Sequence, residues 1–185
     1  MIAEDDATRY WAPLHDLEYA RVDALHATGL LDTPPSPRLD MITKSVAEVF
    51  DVPLVLLSLV DFDRQWFLSK HGSELTETNR DVSFCAHAIL EDEILVIEDT
   101  RRHPVYMHNP LVTFGMKVGF YAGAVIRNRE GLPLGALCIV SPTARRFTVE
   151  DEKKLIYYSK LAREEMFSYS RLQKQRGRPS ASTTA

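Results

Sequence analysis

Leu54-Val55-Leu56-Leu57-Ser58-Leu59-Val60 is an apolar, β-favouring run. Its length and composition suit a strand buried on both faces. Asp61-Phe62-Asp63-Arg64 follows as a turn, and Gln65 to Ser69 returns as a second strand. The pair predicts a β-hairpin.

Working outward, the segment before it is helical. Leu39, Ile42, Val46 and Val49 recur at spacings of three and four, a one-sided apolar stripe. Ser36-Pro37 supplies an N-cap and a first helical residue, and Asp51-Val52-Pro53 ends the helix. Asp32-Thr33-Pro34-Pro35 is a stiff connector, since neither proline donates a backbone hydrogen bond. Residues 14–30 predict an earlier helix with a stripe of Leu14, Leu17, Val22 and Leu25, ending at Gly29.

Beyond the hairpin, residues 71–82 are polar and predict a loop. Ser83 to Leu90 predicts a short helix capped by Ser83. Ile94 to Ile97, Phe120 to Ile126 and Leu134 to Val140 predict three further strands, the last two joined by the turn Asn128-Arg129-Glu130-Gly131. Residues 100–118, with Pro104, Pro110 and Gly115, predict a long irregular excursion, and such loops are usually functional or mobile. Thr148 opens a last helix whose stripe is Leu155, Tyr158, Ala162, Met166 and Tyr169. Helices, then strands around one inserted helix, then a helix predict an α+β domain with a mainly antiparallel sheet.

Composition agrees. The 185 residues suit one domain, and 22 basic against 26 acidic residues leave a net charge of −4. No apolar run approaches the ~20 residues of a membrane-spanning helix, and the acidic start Met1-Ile2-Ala3-Glu4-Asp5-Asp6 is not a secretory signal. Two cysteines make neither a disulfide framework nor a Cys-rich zinc site. A cytoplasmic domain with no membrane partner is expected. Charge is uneven: an acidic segment over 1–17 faces a basic tail over 171–185, which Gly, Pro, Ser and Thr make a candidate for disorder from Arg176 onward.

Several segments together resemble one family. They are Thr28-Gly29-Leu30-Leu31-Asp32-Thr33-Pro34-Pro35, the pair Val55–Asp61 and Arg64–Phe67, Ser83-Phe84-Cys85-Ala86-His87-Ala88-Ile89, Asp99, His108-Asn109-Pro110-Leu111-Val112, Phe120-Tyr121-Ala122-Gly123-Ala124 and Gly135-Ala136-Leu137-Cys138-Ile139. The resemblance is to the GAF domains of bacterial sensor kinases and cyclic-nucleotide-signalling enzymes, over about residues 18–170. It implies a PAS-like fold: a central antiparallel sheet of five or six strands, helices on one face and a loop-covered pocket on the other. It also implies a homodimer through the terminal helices and a downstream signalling protein as partner.

The pocket so implied draws on Trp66, Phe67, Phe84, Phe114, Phe120 and Tyr121 for apolar lining, and on Ser83, Cys85, His87, Asp99 and Asn109 for polar fixtures. This mixture is usual for a small-molecule site. The ligand's identity and any cofactor stay open. Relatives that bind bilins carry a cysteine followed by histidine; here Ala86 follows Cys85. The Asn-Lys…Phe…Asp-Glu signature of cyclic-nucleotide-binding relatives is missing.

Catalysis lacks a frame. There is no Gly-rich phosphate loop, no Gly-x-Ser-x-Gly elbow and no framed carboxylate pair. Cys85 near a helix N-terminus is the one nucleophile with a mechanism. Free methionine-R-sulfoxide reductases of this family carry a cysteine in a similar place, but also one in the loop matching residues 104–118, which here has none. Cys138 falls mid-strand and reads as core. His87, Asp99, His103 and His108 have metal-ligand chemistry without metal-site spacing, so no metal is expected.

Arg176-Gly177-Arg178-Pro179 matches the core of a minor-groove DNA-binding hook. Its basic flanks are thin and the domain is acidic, so a solvated tail is expected and DNA is not. The resulting expectation is a non-catalytic sensor module that binds a small molecule and signals through its terminal helices. The alternatives are a methionine sulfoxide reductase-like thiol enzyme using Cys85 and a structural dimerisation module without ligand.

Overall fold

A computed structural model describes residues 10–176. The elements run α1 (Glu18–Thr28), α2 (Pro37–Phe50), β1 (Leu54–Val60), β2 (Arg64–His71), β3 (Glu77–Asn79), α3 (Phe84–Ala88), β4 (Ile94–Ile97), α4 (Pro110–Thr113), β5 (Phe120–Arg127), β6 (Pro133–Ser141) and α5 (Val149–Arg176). The strands form one antiparallel sheet in the order β3-β2-β1-β6-β5-β4. This is the α+β architecture with a central sheet that the residue pattern predicts.

Side chains alternate across a strand, and here the alternation separates two cores. Val55, Leu57 and Leu59 of β1 face α1, α2 and α5, packing with Leu25, Leu39, Val46, Leu155, Ala162 and Met166. Leu54 and Leu56 face the other way, toward α3 and the 100–118 segment, with Phe84, Ile89, Tyr106 and Val118. Both sides are covered, so every residue of β1 and β6 is buried. Each fully buried aliphatic side chain contributes about 1.5–3 kcal/mol.

A β-bulge sets the face of β2. Leu57 pairs with Ser69 and Ser58 with Phe67, which leaves Leu68 unpaired. Leu68 and Ser69 therefore both lie toward α2, where the Ser69 hydroxyl is 3.0 Å from that of Thr43.

The N-terminal helix differs from its expected form. It starts at Glu18, and Leu14 and Leu17 are exposed. Its inner face instead carries Arg21 beside Val22 and Leu25. Arg21 Nη1 donates to the Val60 carbonyl at 2.6 Å and Nε donates to Glu18 at 2.9 Å. Arg80 also donates to Glu18, and to the Asp61 carbonyl. A buried carboxylate between two guanidiniums thus fastens α1 to the β1–β2 turn. Burial opposes ionisation of Glu18, yet the hydrogen bonds from Arg80 and Arg21 outweigh it and hold its pKa down at about 2.

In α2 the buried stripe is Leu39, Thr43, Val46, Ala47 and Phe50; Val49 is exposed and Ile42 only partly buried. The polar 71–82 stretch holds the edge strand β3 and a 3₁₀ turn over Arg80–Val82. The 100–118 excursion contains a 3₁₀ turn at Thr100–Arg102 and the single-turn α4. The last helix runs on through Arg176, so residues 171–176 of the expected tail are helical. Residues 177–178 and Pro179 of the hook motif, and the first nine residues of the acidic segment, lie outside the described residues. Ser170 Oγ donates to the Thr28 carbonyl and Tyr169 to that of Pro34, which joins α5 to the end of α1 and the connector.

Candidate functional site: the covered face of the sheet

The face opposite the long helices has a sheet floor and a roof of short elements. Leu56, Ser58, Gln65, Phe67, Tyr121 and Cys138 rise from the floor. Register explains their meeting: Leu56 and Gly123 both pair with Cys138, and Ser58 pairs with Phe67. The roof is α3, the α4 segment and the strand entry near Val118.

Ser83 caps α3 by accepting from the Ala86 N–H at 3.0 Å, as its place before an apolar helix predicts. The same hydroxyl donates to Gln65 Oε1, and Gln65 Nε2 donates to Ser58 Oγ at 3.0 Å. This relay crosses from roof to floor and satisfies three buried polar side chains.

The cap also fixes Cys85. Its Sγ lies 3.6 Å from Cys138 Sγ and accepts a hydrogen bond from the Tyr121 hydroxyl at 3.2 Å. Both thiols are free and fully buried. The bond from Cys138 draws the Cys85 pKa below its usual value against the opposing effect of burial, and Tyr121 adds to it. Holding that proton, and burial, push Cys138 well up. Burial first, and the neighbouring thiols next, keep the Tyr121 phenol protonated. A cavity of about 30 Å³ remains among Leu56, Gln65, Phe84, Cys85, Tyr121 and Cys138. Leu111, Met116 and Val118 line it from the roof side.

Of the residues anticipated from sequence, Phe67, Phe84, Cys85 and Tyr121 line this cavity, and Ser83 is bonded to its wall. Phe84 stacks on Tyr121 and on Tyr106, centroids 5.1 Å apart in each pair. Asn109 is buried one layer out, where it caps α4 through Leu111 N–H and donates to the Val82 carbonyl at 3.1 Å. His87 is not part of the cavity lining: its Nε2 donates to the Tyr10 carbonyl at 2.8 Å and its ring meets Tyr106 edge-on.

The other four sit elsewhere. Trp66 and Phe120 point to the opposite core, Trp66 under the Arg64 guanidinium and Phe120 against Phe147. Each is adjacent in sequence to a cavity residue, and adjacent strand residues face opposite ways. Phe114 is 75% exposed at the end of α4. Asp99 caps the Thr100–Arg102 turn and pairs with Arg101 and Arg102. Sequence reasoning missed Ser58, Gln65 and the cavity-facing position of Cys138. Strand parity could have found Gln65, two residues before Phe67. Among the described residues no group of three or more His, Cys, Asp or Glu is placed to hold a metal ion.

The GAF domain family profile matches residues 34–162. This chain belongs to the GAF domain family. A cyclic di-GMP phosphodiesterase of Pseudomonas aeruginosa is 33% identical over 133 residues, 72% of this chain. The chain spans only 23% of that relative's length, so the likeness is to one segment of it. Among solved structures, the GAF domain of a Coxiella burnetii phosphoenolpyruvate-protein phosphotransferase superposes with a TM-score of 0.61 at 16% identity, covering 85% of this chain and 96% of its own. The Neisseria meningitidis free methionine-R-sulfoxide reductase, solved with its substrate, gives 0.60 at 17% identity, covering 89% and 99%. At those identities the superpositions establish the GAF fold alone. The same GAF scaffold thus carries proteins of different activity, and function rests on the site itself.

Proposed function

We propose that this GAF domain is a non-catalytic sensor module that takes a small molecule on the covered face of the sheet. It signals through α1 and α5 as a cytoplasmic homodimer with a downstream signalling partner. The supporting observation is the relay Ser83–Gln65–Ser58 beside Tyr121 and Cys85, polar groups converging among apolar walls under a roof of short elements. A cavity of about 30 Å³ is smaller than a metabolite. Binding therefore requires Leu111, Met116 and Val118 to lift. Among the described residues no helix is long and apolar enough to cross a membrane. The Pseudomonas relative, in which a matching segment is less than a quarter of a phosphodiesterase, is consistent with a module serving an output outside it.

Native and denaturing mass spectra of the purified chain, recorded together, test this. A mass seen only under native conditions identifies the ligand class, and Phe84→Ala or Tyr121→Ala should remove it. No bound mass, and no stabilisation by a metabolite panel, would leave a structural dimerisation module.

A thiol enzyme is the alternative that one observation favours, the approach of Cys85 to Cys138 at 3.6 Å. Turnover of free methionine sulfoxide that disappears in Cys85→Ser would establish it, and no turnover by the wild type would dispose of it.

A further inference from the structure

Cys85 and Cys138 come from distant parts of the chain, the first turn of α3 and the middle of β6, yet their sulfurs are 3.6 Å apart. The sensor function uses them only as part of the cavity wall and draws on no thiol chemistry. Packing alone does not require two thiols in contact with a phenol hydroxyl and a polar relay. Both cysteines line the adjoining cavity. Its 30 Å³ is room for about two water-sized oxygens. Hydrogen peroxide is two such oxygens joined by a weak bond.

We propose that Cys85 and Cys138 are a peroxide-reactive dithiol, which hydrogen peroxide converts to an intramolecular disulfide and which the small size of the cavity shields from bulky oxidants.

The step balances as follows. The Cys85 thiolate attacks one peroxide oxygen, the O–O bond breaks, and the leaving hydroxide takes a proton to become water. Cys85 is then a sulfenic acid. Cys138 loses its proton and attacks the Cys85 sulfur; the S–O bond breaks and a second hydroxide leaves as water. Two thiols and one peroxide give one disulfide and two waters. Tyr121 donates to Cys85 Sγ and so favours the thiolate that begins the sequence. Closing the bond brings the sulfurs to about 2 Å, which draws α3 toward β6. Cys85 is the attacking thiol because the Tyr121 hydroxyl donates to its Sγ from 3.2 Å.

The test treats the reduced full chain with hydrogen peroxide and, separately, with glutathione disulfide, then counts thiols and weighs the protein after denaturation. Peroxide is expected to consume both thiols together, remove the mass of two hydrogens and yield a crosslinked Cys85–Cys138 peptide. Glutathione disulfide is expected to leave both thiols free. In Cys138→Ser, peroxide should add oxygen at Cys85 instead. In Cys85→Ser, loss of the Cys138 thiol should be at least about tenfold slower, since the thiolate is the nucleophile. Oxygen additions without a crosslink in the wild type, a glutathione adduct, or equal rates in Cys85→Ser would overturn the proposal. The wild-type peptide map decides even where a variant does not fold. No ligand enters these measurements, so failure of the sensor function would leave them unaffected.

Discussion

Tyr121 lies across Gly123, so that a Cβ at residue 123 would meet the Tyr121 hydroxyl oxygen at 2.2 Å. The missing side chain is what lets the phenol reach Cys85. Gly123→Ala should therefore displace the ring and cost about 1–3 kcal/mol by overpacking. Removing the ring should relieve part of that cost, so Gly123→Ala with Tyr121→Leu should be less damaging than the sum of the singles in denaturant titrations. Gly135 differs, because a Cβ there would lie 1.9 Å from the Ser58 carbonyl oxygen. Backbone cannot swing aside, so Gly135→Ala should be the more destabilising of the two. The opposite ranking would mean that Tyr121 is held more firmly than the β1–β6 pairing.

Glu18 predicts an acid-sensitive attachment of α1. Its folded pKa of about 2 lies below the ordinary 4.5. A depressed carboxylate contributes stability above its unfolded pKa and loses it as pH falls toward the folded value. Wild type minus Glu18→Gln, measured by urea unfolding, should be largest above pH 4.5 and should shrink toward pH 2. Glu18→Ala at neutral pH should cost about 3–5 kcal/mol, since it strands two buried guanidiniums. A difference that does not vary with pH would show that the carboxylate charge is not what the arginines hold.

His87 has the same sign for a different reason. Burial disfavours its imidazolium, the Tyr10 carbonyl partly offsets this, and His103 adds repulsion, so its pKa falls below 6.5. A depressed base is stable in its neutral form and loses that contribution as pH falls below its unfolded value and through its folded one. His103 is lowered as well, by burial, so comparison with a variant isolates His87. His87→Gln keeps a donor for Tyr10 and removes the titration. Its melting temperature should fall less than that of the wild type as pH drops below 6.5. Parallel curves would show that His87 takes no part in the acid response.

The proposed dimer makes a positional prediction. Tyr157, Leu161 and Leu172 are exposed on the outer side of α5. Leu161→Glu with Leu172→Glu should convert a native dimer to a monomer in light scattering while leaving the fold intact. A dimer that survives both would place the interface away from this stripe.

The strands and α2 were legible because hydrophobic periodicity is a local signal. The Ser83 cap was legible for the same reason: a hydroxyl before an apolar helix has a mechanism in the sequence. β3 was not, since Glu77-Thr78-Asn79 is polar and becomes a strand only by pairing with Gln65 and its neighbours. The inner face of α1 was legible at Val22 and Leu25 but not at Arg21, a fully buried arginine that makes sense only once Glu18, Arg80 and the Val60 carbonyl are brought around it. At the site, aromatic residue type suggested Trp66 and Phe120, while strand parity sends both to the other core. The Cys85–Cys138 approach could not be read locally. It depends on the register that sets Cys138 between Leu56 and Gly123, fixed by the whole sheet.

β6 is buried along its entire length, with Ala136, Cys138 and Val140 on one side and Leu137 and Ile139 on the other. It is a party wall between two rooms. Cores packed to crystal density have little give, so a shove against one side of such a wall is felt on the other. A shift at Cys138 is one peptide away from Leu137, whose neighbours include the residues that seat α5. Thickness, more than any chain of side chains, is then what sets how directly the two compartments can sense each other: one strand, and no padding.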